Sequence, residues 1–308
     1  ADQLSLFISS DVKQTQRVQL WAGQIAALVN KEIKVQGSEP LNYKLPNLAL
    51  IRNQLVNSIG GELSAIERCD AGNILARLGD PRKDVITCEG AEFCIIPSGA
   101  FLMGEEYQQH LVELPDYWLG RHPVTNAQFD VFVASGGYNE LKYWSNEGIR
   151  DQARYSKYPE PFNLPNHPVV GISWHEALAF SRWLNEMAHE RGWIDDNWEI
   201  TLPSEAEWEK AARGGLQTPN NGPVIFPLDN LDLKPAKIDF IQNPSNSRVY
   251  PWGNSFDSDR ANTEELGLSC TSTVGCFQAS ASPYGILDMC GNVWQWTSSA
   301  DKSYPYNK

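Results

Sequence analysis

DMCGNVWQWT, residues 288–297, packs two tryptophans, a Gly-Asn turn signal and one acidic side chain into ten positions. Three readings compete for it: a catalytic strand, a metal loop, or core. Read as a strand, VWQWT puts Trp294 and Trp296 on one face and Val293, Gln295 and Thr297 on the other, because side chains alternate along extended chain. That alternation predicts both tryptophans in the core. The turn after Asp288 could fold backbone carbonyls toward a carboxylate, an oxygen set that suits a hard cation such as calcium. Asp-containing turns more often bind only water, so the neighbouring sequence has to decide.

Working upstream, two helix starts are legible. Ser173-Trp174-His175-Glu176 and Ser204-Glu205-Ala206-Glu207 both fit S-x-x-E, in which the serine accepts the N3 amide and the glutamate reaches back to the cap. The first predicts a helix from Trp174 to about Arg191, stopped by Gly192; the second predicts one to about Arg213, stopped by Gly214-Gly215. EFCIIPSGAFLMG predicts two short strands around a Ser-Gly turn, and YWLGRHPVTNAQFDVFVASGG a strand followed by a Thr125-capped helix. Residues 214–250, rich in Pro, Asn and Asp, form a connection long enough to be functional or an ordered insertion.

Before residue 91 the pattern changes. Val18, Trp21, Ile25, Leu28 and Val29 share one face of a predicted helix over 13–33. Leu48, Ile51, Leu55 and Ile59 share a second before Gly60-Gly61, and ELSAIERCDAGNILARL predicts a third. Ten of the eleven tryptophans and all five histidines lie beyond residue 90. A chain of 308 residues accommodates two domains, here a helical unit over 1–90 and a second domain over 91–308.

Apolar residues at 42% and charged residues at 20% describe a globular protein. No window reaches the roughly 18–20 apolar residues of a membrane helix, and ADQLSLFISSDVKQTQ lacks the basic-then-apolar layout of a secretory leader. A cytoplasmic location with no membrane partner is the expectation. The net charge is −13, and residues 91–308 carry all of the imbalance, with twenty-eight acidic against fifteen basic side chains. Such a surface repels phosphate backbones and argues against nucleic acid. Six cysteines at 69, 88, 94, 270, 276 and 290 include no C-x-x-C. Free buried thiols are the default, and Cys270 and Cys276 are the pair that spacing favours for a disulfide.

Several familiar motifs fail on inspection. GISWH, residues 171–175, has His175 where a nucleophile elbow needs glycine, and Ser173 already serves as a cap. HEALA, residues 175–179, ends in Ala179 and so lacks the second imidazole of H-E-x-x-H. Neither a Walker sequence nor G-x-G-x-x-G is present. Glu205, Glu207 and Glu209 alternate on a helix and do not converge, so a solvated face near the positive helix end accounts for them.

The order of phrases says more than any one of them. IIPSGAFLMG, RHPVTNAQFDVF, HPVVGISWHEALAFSRWL, LPSEAEWEKAARGG, YPWGN and SPYGILDMCGNVWQWTS together resemble the formylglycine-generating enzyme, or sulfatase-modifying factor, family over about residues 91–299. The resemblance implies an α+β fold, a variant of the C-type lectin fold low in regular secondary structure. It also implies calcium: Asp288 through its side chain, Gly291, Val293 and Gln295 mainly through backbone carbonyls, and Asn262 and Thr263 at the start of a second loop that is shorter here.

Catalytic members of the family oxidise a substrate cysteine with a cysteine pair that binds copper(I), the soft ligand set this ion prefers. That pair follows an R-G-G-S-W/Y segment for which residues 1–308 show no match, so no catalytic residue carries over and the domain is expected to lack its C-terminal segment. Two functions follow as expectations. One is a ligand-recognition module, similar to bacterial variable proteins of diversity-generating retroelements, binding a protein or small molecule and joined to an upstream effector domain or partner subunit. The other is a truncated copper-dependent formylglycine-generating oxidase. AGNILARLGDPRKDV resembles a short helical lead-in to this module in multidomain bacterial proteins.

Overall fold

The computed structural model describes residue 6 and residues 9–35, 47–150, 156–233 and 238–300. Three helices come first: α1 (Val12–Val35), α2 (Leu48–Ile59) and α3 (Ala65–Leu78). Helix α3 starts at a capping box, Ser64 accepting from the Glu67 amide while Glu67 reaches back. The predicted face of α2 is the buried one, with Ile51, Leu55 and Ile59 inside.

The face predicted for α1 is not. Trp21, Ile25 and Leu28 are exposed, and the helix instead buries Leu20, Ala22 and Ala26. Helices α2 and α3 approach on the small-residue side, where Gly23 leaves room for Leu55 and Ile74, and Leu20 joins them in the same cluster.

The core of this helical layer is completed from the other end of the chain. Cys276 and Phe277 belong to the same buried cluster as Leu55, Cys69 and Leu75. Gly72 permits the approach, since a Cβ there would lie 2.0 Å from Thr273 Cγ2. Arg68, itself buried, donates to the carbonyls of Leu63, Asp259 and Cys276 and so ties α3 to that loop.

A short helix α4 (Lys83–Ile86) leads into strands β1 (Glu92–Ile96), β2 (Gly99–Met103), β3 (His110–Leu114) and β4 (Tyr117–Gly120). The two strands predicted around Ser98-Gly99 exist but do not pair with each other. β2 pairs with β3, and β1 runs antiparallel between β4 and β6 (Ile225–Pro227), with Cys94 opposite Leu119 and Ile225. Within the long connection, β5 (Gln217–Pro219) pairs with β7 (Phe240–Gln242), so it is an ordered insertion over its described residues.

Helix α5 (Asn126–Ala134) carries the Thr125 cap predicted for it, with Gln128 closing a capping box. After α6 (Asn146–Arg150), the two S-x-x-E signals become α7 (Trp174–Glu190) and α8 (Glu205–Arg213), both with complete capping boxes. Phe129, Phe132, Phe180 and Trp183 form an aromatic core between α5 and α7. A smaller core of Ile96, Tyr117, Ala211 and Tyr284 joins the three-stranded sheet to α8. Helices with small separate sheets make the fold α+β.

Candidate functional site

Residues 288–300 form no strand. Asp288 at φ 55° and Asn292 at φ 65° take left-handed backbone, which breaks extended pairing at both ends of the CGN turn. Beyond the turn the chain runs as an irregular ribbon across the starts of α7 and α8. Trp174 Nε1 donates to Thr297 O at 2.8 Å, Trp296 Nε1 to Ile172 O at 3.1 Å and Ser298 N to Pro203 O at 2.8 Å. Ser299 Oγ accepts the first amide of α8, from Glu205, at 2.9 Å.

The alternation predicted for VWQWT is present, with its sense inverted. Trp294 is 103% exposed and Trp296 51%, whereas Val293, Gln295 and Thr297 face inward more closely. Gln295 turns in because both ends of its amide are used: Nε2 donates to Asp288 O at 2.8 Å and Oε1 accepts Trp208 Nε1 at 2.9 Å. The tryptophans are therefore surface residues of a cleft, and the core assignment for them is corrected.

The six residues expected at calcium are brought together. Asn292 N donates to Asn262 O at 2.8 Å, and a Cβ on Gly291 would lie 2.6 Å from that oxygen and 3.2 Å from Thr263 Cγ2. The donor chemistry does not fit the ion. Asp288 is the one carboxylate among them, and it faces the Gly275 amide and the Asn292 side chain. Gln295 supplies a donor to the Asp288 carbonyl, Val293 N donates to Gly291 O, and Asn262 Nδ2 donates to Cys270 O at 2.8 Å. Calcium takes about six to eight oxygen ligands, carboxylates prominent among them; here a single carboxylate is offered, and amide N–H groups already occupy several of the neighbouring carbonyls. Burial raises the Asp288 carboxyl above its usual range, and its Oδ2 is buried without a hydrogen-bond partner.

Above this floor opens a cleft of about 1320 Å³. Its walls include Trp118, Trp198, Trp208, Trp294 and Trp296, together with Tyr158 and Phe162. Three glutamates, Glu199, Glu207 and Glu264, line it; among the described residues no lysine or arginine does. Glu207 is engaged as the α8 capping residue, while Glu199 and Glu264 are exposed. Trp118 Nε1 is buried in this wall with no acceptor. Ring faces and carboxylates in this arrangement have the chemistry to hold a cation.

Several polar groups that sequence patterns did not single out are buried or clustered elsewhere in the fold. His167, fully buried, sits between Asn73 Oδ1 at 2.8 Å and Thr271 Oγ1 at 2.9 Å, and burial pushes its pKa down to about 3. Lys210 is 1% exposed and donates to Pro97 O and Gly99 O, its pKa lowered by burial to about 8. Asp80 and Arg82 form a buried pair at 2.7 Å. Asp84, Glu92 and His122 bring one ligand atom each within 4.8 Å of one another, but Glu92 is already paired with Arg121 at 2.5 Å. Each of these would read as a surface residue from its type alone; HP, DPR and EK carry no periodic signal. His175, by contrast, lies where expected, half-buried in the first turn of α7 beside Ser145 Oγ at 3.2 Å. Glu209 departs from the expected solvated face, accepting the Gly104 amide at 2.9 Å and pairing with Arg213 at 3.1 Å.

Cys270 lines the cleft, and all six cysteines are free. The pairing favoured by spacing is not the one formed in space: Cys276 Sγ lies 3.3 Å from Cys69 Sγ in the helical core. Burial pushes the Cys88 and Cys94 thiols up to about 12, as befits inert core residues.

Comparison with known proteins agrees with this architecture. Residues 79–308 match the sulfatase-modifying factor enzyme 1-like domain. Hercynine oxygenase of Mycolicibacterium smegmatis is 27% identical, over 68% of this chain and 46% of that protein. A serine/threonine-protein kinase of Chlamydia caviae is 28% identical over 67% and 27%, and the formylglycine-generating enzyme of Mycobacterium tuberculosis 29% identical over 70% and 76%. Among solved structures CarF aligns at 20% identity and a TM-score of 0.41, over 70% of this chain and 83% of that one. The chain thus spans less than half the length of the first two relatives. By the extent of the family match, the chain belongs to the sulfatase-modifying factor enzyme 1-like family.

Proposed function

We propose that this chain is a recognition module on the sulfatase-modifying factor scaffold, a lectin-like frame whose aromatic cleft binds a ligand carrying a cationic, partly apolar group. The observation that carries the reading is the cleft itself, with five tryptophans, exposed Glu199 and Glu264, and no lysine or arginine among its described lining. Trp118 Nε1 supplies a buried donor without an acceptor, a group that a ligand oxygen would satisfy. A bound ammonium would lie against the exposed ring faces, and an oxygen function would reach Trp118. A role among retroelement-diversified variable proteins, joined to an upstream effector, is part of the same proposal; the kinase relative is one case in which a domain of this kind sits in a longer protein.

Titration with a trimethylammonium compound, read by tryptophan fluorescence, tests the reading. Saturable quenching that Trp294→Ala and Trp296→Ala abolish supports it. Equal response to an uncharged tert-butyl isostere sinks the cationic part.

The second reading is oxidation of the formylglycine-generating kind, favoured by two relatives named as a hercynine oxygenase and a formylglycine-generating enzyme. The described thiols do not fit an open copper(I) site, because Cys270 is the only described cysteine on the cleft wall and the close pair, Cys69 and Cys276, is buried in the helical core. Incubating the protein with copper, oxygen and a cysteine peptide of the sulfatase type decides it: an aldehyde product would displace the recognition reading.

A further inference from the structure

The close thiol pair has a use that the cleft does not absorb. Cys69 sits in the middle of α3 and Cys276 in the loop that closes over it; both are at most 2% exposed, and their sulfurs lie 3.3 Å apart. The two residues are 207 positions apart in sequence. They join the helical layer to the loop whose Gly275 amide holds Asp288 beneath the cleft.

We propose that Cys69 and Cys276 are a cross-linking site, closing to a disulfide that staples the N-terminal helices to the floor of the cleft under oxidising conditions.

The geometry requires little movement. A disulfide needs its sulfurs at about 2.05 Å, so roughly 1.2 Å remains to be closed, within reach of small χ1 rotations on two side chains already facing each other. Their surroundings are held in place. Arg68, next to Cys69, donates to Cys276 O at 3.1 Å, and Phe277 and Leu55 pack in the same cluster. No carboxylate is hydrogen-bonded to either sulfur among the described contacts.

The chemistry is two-electron oxidation by a small disulfide such as oxidised glutathione. One cysteine thiolate attacks the glutathione disulfide, releasing one glutathione and leaving a mixed disulfide. The second cysteine displaces the other glutathione, so two protein thiols become one S–S bond and one glutathione disulfide becomes two thiols. Burial raises the Cys276 thiol well above its ordinary range, which suppresses the thiolate in the closed protein. Oxidation therefore proceeds during folding or in local opening of the loop, and the finished bond is shielded from reductants by the same burial. Cys270, half-buried on the cleft wall, stays free.

The test uses the intact chain, unfolded and refolded in a glutathione redox buffer, then denatured and alkylated. The expected result is a species with four alkylated cysteines instead of six, a Cys69–Cys276 peptide pair on mapping, and a melting temperature several degrees above the reduced form. Cys270→Ser keeps the cross-link and Cys276→Ala loses it. Six alkylated cysteines at every oxidant ratio, or a bond between Cys270 and Cys276, overturns the proposal. Mapping the unsubstituted protein decides the matter even if a variant fails to fold.

Discussion

His167 Nε2 lies 2.8 Å from Asn73 Oδ1, linking the segment before α7 to the middle of α3. The Asn73 oxygen can only accept, so Nε2 carries the proton and Nδ1 accepts from the Thr271 hydroxyl. One neutral imidazole thereby holds three parts of the chain, and a second proton on it would break the Thr271 contact inside a dry core.

That arrangement makes stability depend on pH. The folded-state pKa is about 3 against an ordinary 6.5, lowered first by burial. The unfolded chain therefore binds the proton first, and the contribution of His167 is full above about pH 6.5 and lost as pH falls toward 3. Each pH unit in that window costs about 1.4 kcal/mol. Urea unfolding at pH 7 and pH 5 should differ by about 1.5–2 kcal/mol from this group, and His167→Gln should remove the slope. Equal stability at both values, with native protein throughout, would contradict the assignment.

The buried pair below it predicts a large loss. Asp80 is fully enclosed, bonded to Arg82 at 2.7 Å and to Asn166 Nδ2 at 2.9 Å. Asp80→Ala strands the Arg82 charge and an amide, which costs about 3–5 kcal/mol in denaturant unfolding. A loss under about 1 kcal/mol would mean that water replaces the carboxylate.

Exposed and core tryptophans should separate cleanly. Trp183 is buried among Phe132 and Phe180, and truncation to alanine should cost about 3–5 kcal/mol. Trp294→Ala should change stability by less than about 0.5 kcal/mol and act on ligand binding alone. If Trp294→Ala unfolds the protein, the cleft description is wrong.

Calcium offers a fourth discrimination. With Gln295 donating to the Asp288 carbonyl, adding calcium or a chelator should leave the melting temperature unchanged. Gln295→Glu replaces that donor by an anionic oxygen beside the same carbonyls and should introduce calcium dependence, seen as a melting temperature that rises with added ion. A calcium-induced rise in the unsubstituted protein would refute the amide-held loop.

Much of the local chemistry was legible in the sequence. Ser173 and Ser204 carry the predicted capping boxes and Thr125 its predicted cap, because such a cap is completed within four consecutive residues, and the structure adds a further box at Ser64. The family phrases from Ile95 to Ser298 placed the α+β domain for the same reason: they record local turns and caps in a fixed order. Periodicity in VWQWT also predicted which residues share a face.

What only the tertiary structure decided is which face looks inward. Trp294 and Trp296 carry the larger apolar area, yet Gln295 is the side chain turned in, because Trp208 and the Asp288 carbonyl supply partners for both ends of its amide. Helix α1 repeats the point, burying Ala22 and Ala26 while Trp21 stays outside, since close backbone approach to α2 and α3 outweighs side-chain size. Cys276 likewise meets Cys69, 207 positions away, and not its neighbour Cys270. Hydrophobicity and spacing are properties of one segment, whereas burial belongs to pairs of surfaces, and those pairs exist only once the chain has folded.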